Sequence, residues 1–288
     1  MSVLRATAPL VLGVLAACCG GCLDATTTVD VRPDGSGTVT ETVYVARPME
    51  RMLNVMASMA TSMMQTEGTR PATPAPADGP DRVRYEARAA AMGPRVQLAS
   101  LENTTRRDGQ NGIQAVYTFA DVRTLRVPVD PPYPVPDFGE GATAETARVT
   151  FTFTPGAVPE LTAAIPWAAA AQRSVAARLT ARPSTPLSNE ESVMLRHVLD
   201  GFRARLVIES KKGVSETSAM FSEDVNNRDG RRRVVLYDLD ISTLSRNAGL
   251  LEQMAAIGPA RDMNDALGRY AGLPGLKIER QPQIRIRF

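Results

Sequence analysis

Few residues in this 288-residue chain could carry acid–base or metal chemistry. Its one histidine is His197, and its three cysteines, Cys18, Cys19 and Cys22, all stand near the start. Serine and cysteine hydrolases need a histidine base beside the nucleophile, and zinc sites draw on several histidine or cysteine ligands. The sequence beyond residue 22 therefore argues against both kinds of site. We expect His197 to be a partly exposed structural residue of a short helix.

Paired carboxylates could hydrolyse glycosides without a histidine. The candidates are Asp238 with Asp240 and Asp262 with Asp265. Asp121 and Asp240 each stand where a strand should end and a helix could start, so we interpret both as helix N-caps. We expect no enzyme, and a carboxylate-based hydrolase is the weakest of our functional hypotheses.

A cluster of acids and amides offers the oxygen ligands that calcium prefers. Its members are Glu223, Asp224, Asn226, Asn227 and Asp229. The glycine that follows stands six residues after Asp224, where an EF-hand loop has it five residues on, and no glutamate closes the loop. The pattern therefore indicates a solvated hairpin tip, and we expect no metal and no cofactor.

Three arginines, Arg231-Arg232-Arg233, form a basic run. Such a run could touch anionic lipid head groups, although a solvated strand start is the plainer interpretation. The net charge of the chain is only +2, with 43% hydrophobic and 22% charged residues. This balance is typical of a globular protein and argues against a nucleic-acid partner.

Methionines recur at spacings of three and four between residues 48 and 65, a pattern that predicts a helix. They are Met49, Met52, Met56, Met59 and Met63. The helix could simply cover a sheet, or its thioethers could offer an adaptable surface to an apolar ligand. Copper(I) binding is a third possibility, which the lack of accompanying cysteine or histidine disfavours. Trp167 is likewise either a core anchor or a stacking face for carbohydrate.

The chain begins like an export signal, with Arg5 before an apolar run that is too short to span a bilayer. Leu15-Ala16-Ala17-Cys18 then resembles the lipobox of bacterial lipoproteins. The resemblance implies cleavage before Cys18 and attachment of fatty acyl chains such as palmitate to that thiol and the new amino end. Cys22 is the alternative site, but Cys19 would stand where its motif wants leucine.

Several alternating segments predict β-hairpins. The clearest joins Thr26 to Arg32 with Thr38 to Ala46 through Asp34-Gly35-Ser36-Gly37. Further strands are predicted at Val96 to Leu101, Ile113 to Phe119, Ala147 to Thr154, Phe202 to Ile208, Val214 to Phe221, Arg233 to Leu239 and Ile284 to Phe288. A Lys211-Lys212-Gly213 turn leads from the strand that ends at Ile208 to the one that starts at Val214, which indicates one more hairpin.

Helices are predicted at residues 48–65, 168–179, 193–199 and 250–271, the last of them broken at Gly258-Pro259, and loops are predicted at 66–80 and 128–141. Together the elements predict an α+β fold in which antiparallel hairpins form one or two sheets with amphipathic helices on one face. We divide the chain into a signal peptide at 1–17, an acylated anchor and short tether at 18–23, and an extracytoplasmic α+β region at 24–288. Whether this region is one domain or two is left open.

The wider layout looks like that of bacterial surface lipoproteins, a resemblance that implies an envelope location and carries no catalytic residue. Our first hypothesis is a lipid-anchored protein on the extracytoplasmic side of a membrane, acting by binding or structural contact. Its partners would be membrane lipid, through the anchor, and an envelope protein. The alternative is a carrier that shelters an apolar ligand between a sheet and the methionine helix. In a Gram-negative host, the residue after Cys18 would permit the outer membrane.

Overall fold

A computed structural model describes residues 23–45, 82–132, 147–178, 202–225, 231–241 and 263–288, together with Leu250, Gln253 and Ile257. The strands are β1 Leu23–Val31, β2 Gly37–Val45, β3 Gln97–Thr105, β4 Asn111–Phe119, β5 Arg126–Pro128, β6 Arg148–Thr154, β7 Glu160–Ala164, β8 Arg203–Glu209, β9 Glu216–Thr217, β10 Ser222–Asp224, β11 Arg232–Asp240, β12 Lys277–Ile278 and β13 Gln283–Arg287. The helices are α1 Arg82–Met92, α2 Ala168–Arg178 and α3 Met263–Tyr270, with a 3-10 helix at Val122–Thr124.

Within the described ranges, the first sheet has the strand order β10-β11-β8-β1-β2-β4-β3, and β12 pairs with β11. The second sheet has the order β5-β6-β7-β13-β9. Most neighbours in both sheets are antiparallel, and the fold is α+β as predicted.

The hairpin of β1 and β2 confirms the clearest sequence prediction, with Val29 opposite Val39. At its turn Gly35 has a φ of +83°, a conformation that favours glycine, and Asp34 Oδ1 accepts from the backbone N–H of Ser36 at 2.9 Å. A Cβ at Gly37 would lie 2.0 Å from the carbonyl oxygen of Asp30, so no other residue fits there. Strand β1 begins at Leu23, which we had assigned to the tether.

The hairpin predicted between β8 and Val214 to Phe221 is wrong. Strand β8 runs parallel to β1, with Ala204 opposite Ala25, and antiparallel to β11. The residues after the turn form β9, which joins the second sheet by pairing Thr217 with Ile286 of β13. Because Leu206 and Val207 point to opposite sides of β8 and are each 1% exposed, both faces of this strand are covered. Alternation indicates which face a side chain occupies but not which strand lies beside it.

One continuous hydrophobic core joins the two sheets and the helices. Trp167, at the start of α2, is fully buried, and its ring meets Tyr237 of β11 edge-on at a centroid distance of 5.7 Å. Its Nε1 donates to the backbone oxygen of Glu279 at 2.8 Å. Trp167 is therefore a core anchor rather than an exposed stacking face.

The helices agree only partly with the sequence prediction. Helix α2 is confirmed, α3 lies within the predicted 250–271 segment, and α1 was missed. Asp121 caps the 3-10 helix as predicted, accepting from Arg123 N, and Asp240 ends β11 just before the helical Ile241. Among the described helices none is long and apolar enough to cross a membrane.

The predicted loops agree with the structure only in part. The loop assigned to 128–141 starts too early, because Pro128 is the last residue of β5 and Val129 is buried. The loop at 66–80 and the helices at 48–65 and 193–199 lie outside the described residues.

Candidate functional site

An open cleft of about 200 Å³ is formed by α1, the chain that follows β5 and the first residue of β6. We call it the arginine cleft. It is lined by Arg84, Tyr85, Arg88, Ala91, Pro128, Asp130, Pro132 and Arg148.

Helix and sheet geometry bring the three arginines together. Arg84 and Arg88 are four residues apart on α1 and so lie on one side of the helix. The helix is fixed by Ala89 and Met92, which are buried in the core. Strand β6 pairs with β5 so that Arg148 stands opposite Pro128, at the same wall of the cleft.

Behind the cleft, Arg88 forms a two-pronged ion pair with Glu41 of β2. Its Nε lies 2.8 Å from Glu41 Oε2, and its Nη2 lies 2.7 Å from Oε1. The hydroxyl of Tyr117 donates to Glu41 Oε2 at 3.0 Å. Glu41 is 1% exposed, so its charge is compensated entirely by these partners.

The pKa values of the two groups beside Glu41 are raised. Burial alone would lower the pKa of Arg88, but the carboxylate of Glu41 outweighs it and raises that pKa. Burial, followed by the charge of Glu41, also raises the pKa of the Tyr117 hydroxyl. Arg88 is therefore a fixed cation and Tyr117 a fixed hydrogen-bond donor.

The arginines also hold the backbone on the far side of the cleft. Nη2 of Arg88 donates to the carbonyl oxygen of Asp130 at 2.8 Å, and Nη2 of Arg84 to that of Pro132 at 3.4 Å. Through these contacts α1 fixes the chain that leaves β5.

Arg148 differs from the other two arginines. Its Nε is buried, and neither a hydrogen-bond acceptor nor an ion-pair partner for this side chain occurs among the described residues. Within the same part of the chain, Nη1 of Arg88 likewise has no acceptor, since its bonds to Glu41 and Asp130 use Nε and Nη2. The cleft thus contains N–H donors that make no hydrogen bond to any described side chain or carbonyl oxygen.

Among the described residues, positive groups outnumber negative ones at the cleft. Three arginines stand against two carboxylates, that of Asp130 in the lining and that of Glu41 behind Arg88. Planar guanidinium groups donate two parallel hydrogen bonds to carboxylate or phosphate oxygens. The arrangement is suited to binding an anion.

The described members of the acidic cluster, Glu223 and Asp224, form ion pairs with basic side chains of the protein. Glu223 accepts from Lys277 at 2.6 Å, from Arg233 at 3.0 Å and from Arg205. Burial would raise the pKa of Glu223, but the hydrogen bonds from Lys277 and Arg205 outweigh it and lower that pKa to about 2. Asp224 lies 3.7 Å from Arg232. Asn226, Asn227 and Asp229 are outside the described ranges, within which no group of acids, histidines or cysteines could hold a metal ion.

The paired carboxylates proposed for hydrolysis face arginines. Asp238 forms a two-pronged ion pair with Arg203, at 3.0 and 2.8 Å, and Asp240 stands opposite Arg203 in the sheet. Asp265 accepts from Arg269 at 2.8 Å, and Asp262 is not among the described residues. These contacts are those of structural ion pairs.

Other predicted site residues lie outside the described ranges. They are Cys18, Cys22, His197, Met49, Met52, Met56, Met59 and Met63. The anchor and the methionine surface therefore stay predictions.

Sequence reasoning missed the arginine cleft. One available signal was Glu41, a charged residue that alternates with Val39 and Val43 on one face of β2, the face that the structure buries. The other was the four-residue spacing of Arg84 and Arg88 in an alanine-rich run. Nothing local to Arg148 indicates that it joins them.

Comparison with known proteins gives no match to a family model, to a curated protein or to a solved structure.

Proposed function

We propose that this chain is a lipoprotein held by acyl chains on Cys18 at the extracytoplasmic side of a membrane, where it acts by binding or structural contact. The observation that carries the proposal is Leu15-Ala16-Ala17-Cys18, which meets each requirement of a lipobox. Only residues 19–22 separate Cys18 from the first residue of β1.

The short connection supports a surface role. An extended chain rises about 3.4 Å per residue, so Leu23 would stand within roughly 17 Å of the acylated thiol. More than one acyl chain makes membrane attachment stable, since each buried CH₂ contributes about 0.8 kcal/mol. A two-sheet body held this close to the bilayer meets partners at that surface at a raised effective concentration.

The composition of the body is compatible with export. All three cysteines stand at or before residue 22, so the folded part needs no disulfide in an oxidising compartment. Its stability comes instead from the continuous core of two sheets and three helices among the described residues.

The proposal is tested by replacing Cys18 with alanine in the native host and following the size and membrane partition of the product. Cys18→Ala should leave the precursor uncleaved and without acyl chains. Cys22→Ala is the matched control and should be processed and partitioned like the unchanged protein. Normal acylation of Cys18→Ala, or its loss in Cys22→Ala, would contradict the assignment to Cys18.

A further inference from the structure

The arginine cleft carries N–H donors for which the described chain supplies no acceptor. Arg148 Nε is buried at its wall, and Nη1 of Arg88 is left over after the bonds to Glu41 and Asp130. A buried donor without a partner costs about 1–3 kcal/mol, so native proteins rarely keep one that nothing else satisfies. An anion accepting from the buried Nε of Arg148 would remove that cost, and Nη1 of Arg88 offers the anion a further donor.

We propose that the arginine cleft is a binding site for a phosphate group, contacted by Arg148, Arg88 and Arg84. A carboxylate offers two oxygens, whereas a phosphate group offers oxygens in tetrahedral directions that three guanidinium groups from a helix and a strand can share. Within the described residues, three arginines against Glu41 and Asp130 leave an excess of one positive charge, which favours an anionic ligand.

The rest of the lining indicates how a phosphate-bearing molecule would lie. Tyr85, Ala91, Pro128 and Pro132 give the cleft an apolar side next to the guanidinium groups. This side can contact the carbon part of a phosphate ester. With a volume of about 200 Å³, the cleft suits a small phosphate group and its immediate attachment, and either inorganic phosphate or a lipid head group has that chemistry.

The inference does not depend on the anchor, because every residue that carries it lies in the folded part of the chain, between residues 41 and 148. It is tested on the purified mature protein in neutral detergent, by calorimetric titration with sodium phosphate at constant ionic strength. Saturable binding is expected, together with a rise in melting temperature. Sodium chloride at equal ionic strength should give neither effect.

Arg148→Gln is the decisive variant, since it removes a guanidinium group that makes no hydrogen bond or ion pair within the described chain, and it should leave folding intact. It is expected to weaken phosphate binding about tenfold or more, as befits loss of a charge-assisted hydrogen bond. The phosphate affinity of Arg148→Lys should fall between those of Arg148→Gln and the unchanged protein, because lysine keeps the positive charge but cannot donate two parallel hydrogen bonds. Arg82→Gln on the same helix, which changes the net charge equally but does not line the cleft, should bind like the unchanged protein.

Absence of saturable binding would overturn the proposal, as would equal binding by Arg148→Gln or an equal loss in Arg82→Gln. The source of the phosphate is then distinguished by adding phosphatidylglycerol to the detergent. If the lipid head group occupies the cleft, the apparent dissociation constant for inorganic phosphate rises with the lipid fraction. If it stays constant, the site is one for free phosphate or a soluble ester.

Discussion

Glu41 shows how a charged residue can occupy an inward position of a hydrophobic strand. Its carboxylate accepts from Arg88 and Tyr117, and Arg88 in turn donates to the backbone at Asp130. A buried ion pair adds little net stability compared with an apolar pair, but loss of one member leaves the other charge buried and uncompensated. We therefore expect Glu41 to hold Arg88 in place at the cleft.

Glu41→Gln should lower the free energy of unfolding by about 3 kcal/mol, because Arg88 keeps its charge and loses its counter-ion. Glu86→Gln is the matched control. Glu86 also pairs with an arginine of α1, Arg82 at 2.8 Å, but both side chains are more than half exposed, so its loss should cost less than about 1 kcal/mol. Urea denaturation of the two variants measures the difference, and similar costs for both would contradict this account of Glu41.

Glu223 should make stability depend on pH in acid. Its pKa in the folded protein is about 2, below the ordinary value of 4.5, so the ionised form is favoured by folding. The stabilisation is present above about pH 4.5 and disappears as the pH falls toward 2. The free energy of unfolding of Glu223→Gln should therefore fall less steeply than that of the unchanged protein over this window. Parallel curves for the two proteins would show that the ion pairs of Glu223 do not stabilise the fold.

At the scale of elements, α2 and α3 meet at a close approach. Gly268 of α3 is buried, and a Cβ placed there would lie 2.7 Å from the Cβ of Ala170 in α2. Such a contact cannot be relieved by rotating a side chain, so the two helices would have to move apart.

Gly268→Ala should lower the free energy of unfolding. Overpacking typically costs about 1–3 kcal/mol, which outweighs the gain of about 1 kcal/mol from the higher helix propensity of alanine. Ala170→Gly in the same chain should recover part of the loss by making room for the new methyl group. Gly156→Ala is the control, since no atom lies within 4 Å of a Cβ there. Thermal unfolding compares the three variants, and a raised melting temperature for Gly268→Ala alone would contradict the close approach.

Local patterns predicted the elements whose partners are near in sequence. Alternating valines and the turn at Gly35 and Gly37 were enough for β1 and β2. The parallel pairing of β1 with β8 could not be predicted, because about 180 residues separate them and no residue in either strand identifies its neighbour. Helix α1 was missed because Tyr85, Ala89 and Met92 form a narrow buried stripe in which alanine contrasts little with its surroundings.

The arginine cleft is assembled from residues of separate elements that only the folded molecule brings together. Arg84 and Arg88 come from a helix and Arg148 from a strand of the second sheet, while Glu41 comes from the first sheet. The sequence could indicate an inward charge at Glu41, but its partner depends on how α1 packs against both sheets. The segment Leu15-Ala16-Ala17-Cys18, in contrast, is a short linear pattern whose resemblance to a lipobox can be read from sequence alone, and it supports the proposed anchor independently of the fold.

The anchor and the body together define the proposed molecule, in which a self-stabilised α+β body begins at Leu23, just after an acylated Cys18. Intact mass spectrometry of the native protein extracted from membranes measures this most directly. We expect a mature chain whose first residue is Cys18, heavier than its polypeptide mass by the acyl groups it carries. A chain that retains residues 1–17, or one that starts at Cys18 with no added mass, would contradict the account.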